Sequence, residues 1–172
     1  MILTVLKEPD PRLHIKAKAV ERVDDSIRQL MDDMLETMYQ EDGIGLAATQ
    51  VGIDKRVVVI DLNAGQDDEE PDVHFMANPE ILWCSDETST VKEGCLSVPE
   101  TRADVIRPAR VKVRYLNRDN EHIELDADGL MATCIQHEID HLNGVLFIEH
   151  LSKLKQEMIR NKLKKLKKFQ PL

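Results

Sequence analysis

His137, Glu138 and His141 stand in the order H-E-x-x-H, within a stretch whose apolar residues recur at helical spacing. Side chains four apart lie one above the other on a helix, so both imidazoles can face one ion. A carboxylate one residue after the first imidazole can take a proton from a water that the ion acidifies. These are the parts of a metal hydrolase. The bland alternative is a buried helix whose two histidines only hydrogen-bond.

Two histidines do not hold a catalytic metal; three protein ligands and one open position are normal. The extended protease pattern H-E-x-x-H-x-x-G-x-x-H has Gly144 at its glycine, but its last place is Phe147, which cannot ligate. Downstream, Glu149 follows closely and Glu157 lies in a basic tail. The third ligand is therefore expected upstream. Cys95, in Glu93-Gly94-Cys95-Leu96-Ser97, is the strongest candidate, because a thiolate is a strong donor and Gly94 lets the backbone pack close. For a lone cysteine, buried filler is the ordinary explanation, and the unmet ligand requirement argues against it.

A third segment, Gly43-Ile44-Gly45-Leu46-Ala47-Ala48-Thr49-Gln50, combines small residues with a terminal amide. Its glycines and alanines permit close backbone approach, to a substrate or to another element. Gln50 offers an N–H donor for a developing oxyanion. A tight connection between helix and strand explains the glycines equally well.

These residues need elements to place them. Ile27, Leu30, Met31, Met34, Leu35 and Met38 follow helical spacing, which predicts a helix over 24–41 that stops at Gly43. The β-branched run 56–62 predicts a buried strand, and 63–72 an acidic loop. Val111, Val113 and Tyr115, then Ile123 and Leu125, alternate with polar residues about a turn at 118–121, which predicts a hairpin. The H-E-x-x-H helix is expected to start at Asp126 or Asp128 as cap and to end at Gly144. Leu130, Cys134, His137, Glu138 and His141 share one of its faces, and Ile135, Ile139 and Leu142 another; a helix apolar on two sides is a buried one.

With 172 residues the chain fits one domain, here expected as a catalytic unit at 1–150 with a continuous helix at 151–172. Three widely spaced cysteines suggest a reducing compartment, no apolar run is long enough for a membrane span, and the first residues lack a signal-peptide pattern. A cytoplasmic protein is the expectation. The net charge of −9 is uneven: residues 153–172 carry +7, leaving −16 on the remainder. A basic tail on an acidic body suggests an anionic partner, with a solvated helix face as the alternative. From Ser152 as N-cap, Leu154, Met158, Leu163 and Leu166 are expected to dock one stripe on the body.

G-x-G-x-A-A-x-Q at 43–50, E-G-C-L-S at 93–97 and Q-H-E-x-D-H at 136–141 together resemble the peptide deformylase family, which carries these motifs in this order. The resemblance runs from Pro9-Asp10-Pro11-Arg12-Leu13 to Gly144-Val145-Leu146-Phe147. It implies an α+β fold, with antiparallel and mixed sheets packed around a central metal-binding helix, and a C-terminal amphipathic basic helix. It implies an enzyme that removes the formyl group from the N-terminal formyl-methionine of new polypeptides and releases formate. By this resemblance Cys95, His137 and His141 hold the metal, Glu138 is the acid/base, and the Gln50 amide and Leu96 N–H bind the oxyanion. By the same resemblance the peptide is expected to lie extended along Gly43, Ile44, Gly45 and Gly94. Ile44, Val91, Leu130, Thr133 and Cys134 form the methionine pocket, and Arg102 lies nearer its mouth. Thr133 departs from the larger apolar residue common at that position in the family.

The resemblance further implies ferrous iron (Fe2+) as the native metal, with Zn2+, Ni2+ or Co2+ as substitutes, although ligand types alone suggest zinc. A monomer is expected, and the resemblance implies a C-terminal helix docked near the ribosome's exit tunnel. Two rival readings use the same residues: an H-E-x-x-H metallopeptidase, and a non-catalytic binding module on the same fold. The second would be expected to lose Glu138, Cys95 or Gln50, and all three are present.

Overall fold

The computed structural model describes residues 1–168; the last four residues of the basic tail lie outside it. Helix α1 spans Asp25–Gln40 and is capped by the Asp24 side chain, which accepts from the Ile27 N–H at 3.0 Å. Its stripe of Ile27, Leu30, Met31, Met34 and Met38 is buried, as the spacing predicts.

Strands β1 (Gly45–Ala47), β2 (Val57–Asp61), β3 (Val73–Cys84), β6 (Arg110–Leu116) and β7 (His122–Asp128) form a five-stranded sheet in the order β1-β2-β3-β6-β7. Each neighbouring pair is antiparallel, and one parallel bridge joins Lys18 to Lys55. Every residue of β2 is buried because both faces of the sheet are covered. Val57 and Val59 face the α1 side with Leu46 and Ala77, whereas Val58 and Ile60 face Ile135, Ile139 and Leu142 of helix α2. The predicted hairpin is β6–β7, with Tyr115 opposite Ile123. The Asn117 side-chain oxygen closes its turn by accepting from the Asp119 and Glu121 N–H groups.

The remaining strands have weaker sequence signals. β3 slips register between Ala77 and Glu80, where Pro79 has no N–H to give. The Asn78 side chain bonds both backbone polar groups of Val20 there. β4 (Thr88–Cys95) and β5 (Val98–Pro108) form a separate two-stranded antiparallel sheet. It packs on a third cluster that includes Val98, Val105, Leu146, Phe147 and Ile148.

Helix α2 spans Gly129–Leu142. Asp128 occupies its N-cap but its side chain makes no capping bond, and Asp126 lies in β7, so neither aspartate caps it as expected. Only the later turns lie under the sheet; Leu130, expected on a buried face, sits in the first turn and is 48% exposed. At the other end the Gly144 N–H bonds the His141 carbonyl and the Val145 N–H bonds the Asp140 carbonyl, a Schellman closure. Gly144 has φ +78, and a β-carbon there would stand 2.6 Å from the His14 carbonyl oxygen.

Helix α3 spans Lys153–Lys168, with the Ser152 hydroxyl accepting from the Lys155 N–H. Leu163 is buried and Leu166 partly so, as expected, but Leu154 and Met158 are 68% and 64% exposed. The docked stripe is instead Ile159, Leu163 and Leu166, which share a face at steps of four and three. Met158 lies roughly a quarter of a turn, and Leu154 more than a third of a turn, to one side of that stripe. No helix among the described residues is long and apolar enough to cross a membrane.

Candidate active site

The two sheets leave a cleft of about 860 Å³ between them. Gly43, Ile44, Gly45 and Gln50 form one wall, and Val91, Gly94, Cys95, Leu96 and Arg102 the other. Leu130, Thr133, Cys134, His137 and Glu138 of α2 line the same space. Every residue expected to touch the peptide therefore borders one cleft. His141 lies beneath it with no exposed surface.

β4 delivers Cys95 to the two α2 imidazoles. The Cys95 Sγ lies 3.2 Å from His141 Nε2, which lies 3.2 Å from His137 Nε2. All three donor atoms fall within 4.8 Å of one another. A thiol and two imidazoles converging on one point match the donor set of a divalent cation. His141 is held well below its ordinary pKa by burial and by His137, which leaves a neutral imidazole with a free lone pair. Burial also opposes charge on His137, but its interactions with Cys95 and Glu93 outweigh burial and raise it. Cys134 is a different cysteine: burial pushes its thiol up to about 12, so it lines the cleft as an apolar group.

The imidazole orientations are fixed from behind. His137 Nδ1 lies 2.9 Å from Glu93 Oε1, which commits Nε2 to the centre. Glu93 is gripped by Arg107 through bonds of 2.7 and 3.0 Å, and Arg107 reaches Asp140 of α2 at 2.8 Å. Burial would raise the Glu93 carboxyl, but its bonds to His137 and Arg107 hold it below the usual range. Asp140 in turn meets His150 at 2.9 Å.

Glu138 is buried beside the donors, and its Oε1 has no hydrogen-bond partner among the described residues. Burial lifts its carboxyl to about 7. Gln50 is held at both ends: its Oε1 accepts from the Ala47 N–H at 2.9 Å, and its Nε2 donates to Ser97 Oγ at 3.1 Å. The same nitrogen lies 3.5 Å from Cys95 Sγ. A buried carboxyl with one oxygen unengaged among the described residues, next to a cluster able to hold a cation and an oriented amide donor, is equipped for hydrolysis at a carbonyl.

The sequence profile of the polypeptide deformylase family matches residues 2–157. The chain belongs to that family. It is 57% identical over 164 residues to the peptide deformylase of Phenylobacterium zucineum, covering 95% of this chain and 96% of that protein. A peptide deformylase of Azotobacter vinelandii is 55% identical over 164 residues, 95% of each chain. The crystal structure of peptide deformylase from Ehrlichia chaffeensis matches with a TM-score of 0.92 at 40% identity, covering 98% of both chains. A structure from the same organism in complex with actinonin matches at 0.90 and 42% identity, covering 96% of this chain and 97% of that one. Membership in the deformylase family makes this chain a metal-dependent hydrolase that removes the N-formyl group from new polypeptides. The metallopeptidase and the non-catalytic module find no support in these comparisons.

Roles for Glu93, Ser97, Arg107, Asp140 and His150 emerge only from the folded site. Glu93 had a signal: two residues from Cys95 on a strand, it shares that residue's face. Arg107 had none, because it meets its partners only through the β4–β5 register and the docking of α2.

Proposed function

We propose that Cys95, His137 and His141 hold the ion, and that Glu138 is the acid/base of deformylation. The observation that carries this is the unpartnered Oε1 of Glu138, buried next to three converging donor atoms. When bound, the ion acidifies a water and polarises the formyl carbonyl. Glu138 accepts the proton at its carboxylate and delivers it to the departing amine nitrogen. The Gln50 amide and the Leu96 N–H donate to the tetrahedral oxygen.

The peptide lies extended between the open edges of β1 and β4, along Gly43, Ile44, Gly45 and Gly94, as an added strand. Ile44, Val91, Leu130, Thr133 and Cys134 receive the methionine side chain, with Arg102 nearer the mouth. Their common placement around one cleft supports this reading. Actinonin, held by the Ehrlichia chaffeensis relative, is expected in the same cleft.

The native metal in this reading is Fe2+, with Zn2+, Ni2+ or Co2+ able to replace it. The chain works in the cytoplasm as a monomer and a single domain, of which α3 is a continuous part. The packing of Leu163 against the β5 cluster supports that continuity. The exposed lysines of α3 address ribosomal RNA near the exit tunnel, where nascent chains emerge. Electrostatic binding of this kind weakens steeply with salt. Reversing Lys164 and Lys165 to Glu should abolish co-sedimentation with ribosomes at low salt while short formyl-peptides are still turned over.

The central test is formate release from formyl-Met-Ala-Ser. A chelator should abolish it, and metal should restore it. Glu138→Ala should keep its metal but release formate at least about a hundredfold more slowly. Near-normal turnover by that variant would remove Glu138 from the mechanism.

A further inference from the structure

Ser97 has no exposed surface and stands where three parts of the site meet. Its Oγ accepts from Gln50 Nε2 at 3.1 Å, and its backbone N–H points at Cys95 Sγ at 3.4 Å. Its carbonyl accepts from the Glu8 N–H at 2.8 Å, so the residue is pinned by its own backbone. Gln50, also buried, has an amide with two N–H groups and one oxygen. The Ala47 N–H occupies the oxygen and thereby fixes which end of the amide faces the cleft. Ser97 Oγ takes one of the two N–H groups. The other lies on the Cys95 side, 3.5 Å from the sulfur.

We propose that Ser97 is a positioning residue for deformylation, holding the Gln50 amide so that its second N–H is aimed at the oxygen that develops charge. The proposal rests on the reading that Gln50 donates to that oxygen. Without an acceptor at 97, the amide is held through its oxygen and by the long contact to Cys95 Sγ alone, and its last side-chain bond is freer to rotate. An oxyanion donor that is present but misaimed forfeits most of its effect, since its value comes from being oriented before charge develops.

The test is a double-mutant cycle on the metal-loaded enzyme, following formate release from formyl-Met-Ala-Ser. Ser97→Ala should lower kcat at least about tenfold with KM within about twofold. In a Gln50→Ala background the same change should lower kcat by no more than about twofold, because there is no amide left to aim. The sulfur-to-cobalt charge-transfer band of the Co2+-substituted protein should be unchanged by Ser97→Ala.

If Gln50→Ala turns over normally, the oxyanion role of Gln50 has failed. If Gln50→Ala is slow but Ser97→Ala is not, Gln50 keeps its role and the Ser97 proposal falls. It also falls if Ser97→Ala costs the same in both backgrounds, or if the cobalt band weakens. Should the alanine variant not fold, Ser97→Cys, of nearly the same shape but a weak acceptor, is put through the same cycle and judged by the same criteria.

Discussion

Gly45 and Glu138 touch at a point where no side chain could be added: a β-carbon on Gly45 would lie 2.6 Å from Glu138 Oε2 and 3.2 Å from its Cδ. The glycine is on β1 and the acid on α2, so the absence of a side chain on one element makes room for the carboxylate on the other. Gly45→Ala should therefore push Glu138 off its position without touching a metal donor. The expected result is a drop in kcat of at least about tenfold with metal content unchanged, the scale of a small misplacement of a reacting group. Steady-state kinetics alongside metal analysis would check it; equal activity in the two proteins would mean that Glu138 has slack.

Cys95→Ser should weaken metal binding or change which metal is bound, because a hydroxyl is a poorer donor than a thiolate. The Co2+-substituted wild-type protein should show a sulfur-to-cobalt charge-transfer band that the variant lacks. A band that survives the substitution would place the sulfur ligand elsewhere.

Arg107 and Glu93 are paired with side chains 5% and 4% exposed. Removing one partner strands the other charge in the interior. Arg107→Leu should cost about 3–5 kcal/mol in denaturant unfolding at neutral pH. A loss no larger than that of an exposed ion pair, below about 1 kcal/mol, would show that Glu93 finds another partner or a proton.

The Tyr39 hydroxyl donates to Asp61 Oδ2 at 2.5 Å, and burial together with this bond pushes Tyr39 from 10.0 up to about 12. A raised value means that the fold favours the neutral hydroxyl. The resulting stability is complete below pH 10.0 and is lost as pH climbs through about 12. Tyr39→Phe, which has nothing to ionise, should lose less of its melting temperature across that alkaline window than wild type does. Parallel alkaline limbs would exclude this pair as their cause.

What could be read from the chain alone follows the physics of each segment. α1, β2, the β6–β7 hairpin and α2 bury apolar stripes of regular period, and period is what a sequence displays. The β4–β5 hairpin buries Glu93 and Arg107 beside Val105 on its inner side and leaves Ile106 exposed, so its apolar alternation is broken. β3 is interrupted by Asn78-Pro79, and much of its second half is exposed. In α3 the apolar residues fall on two faces, and the sequence offers no means of deciding which face meets the body. The proposed metal donors were legible as motif residues, whereas Ser97 and Arg107 bond neighbours 47 and 14 residues distant.

The three proposed metal donors belong to two bodies that share no sheet. Cys95 sits on a hairpin whose strands pair only with each other, and the two histidines sit on a helix packed beneath the larger sheet. An ion held by all three is thus a rivet through a seam, set next to the Arg107 clasp that crosses the same seam. Loading an ion there would tie the two walls of the cleft together. The hairpin's amide protons should exchange with solvent at a rate governed by how tightly the rivet is held.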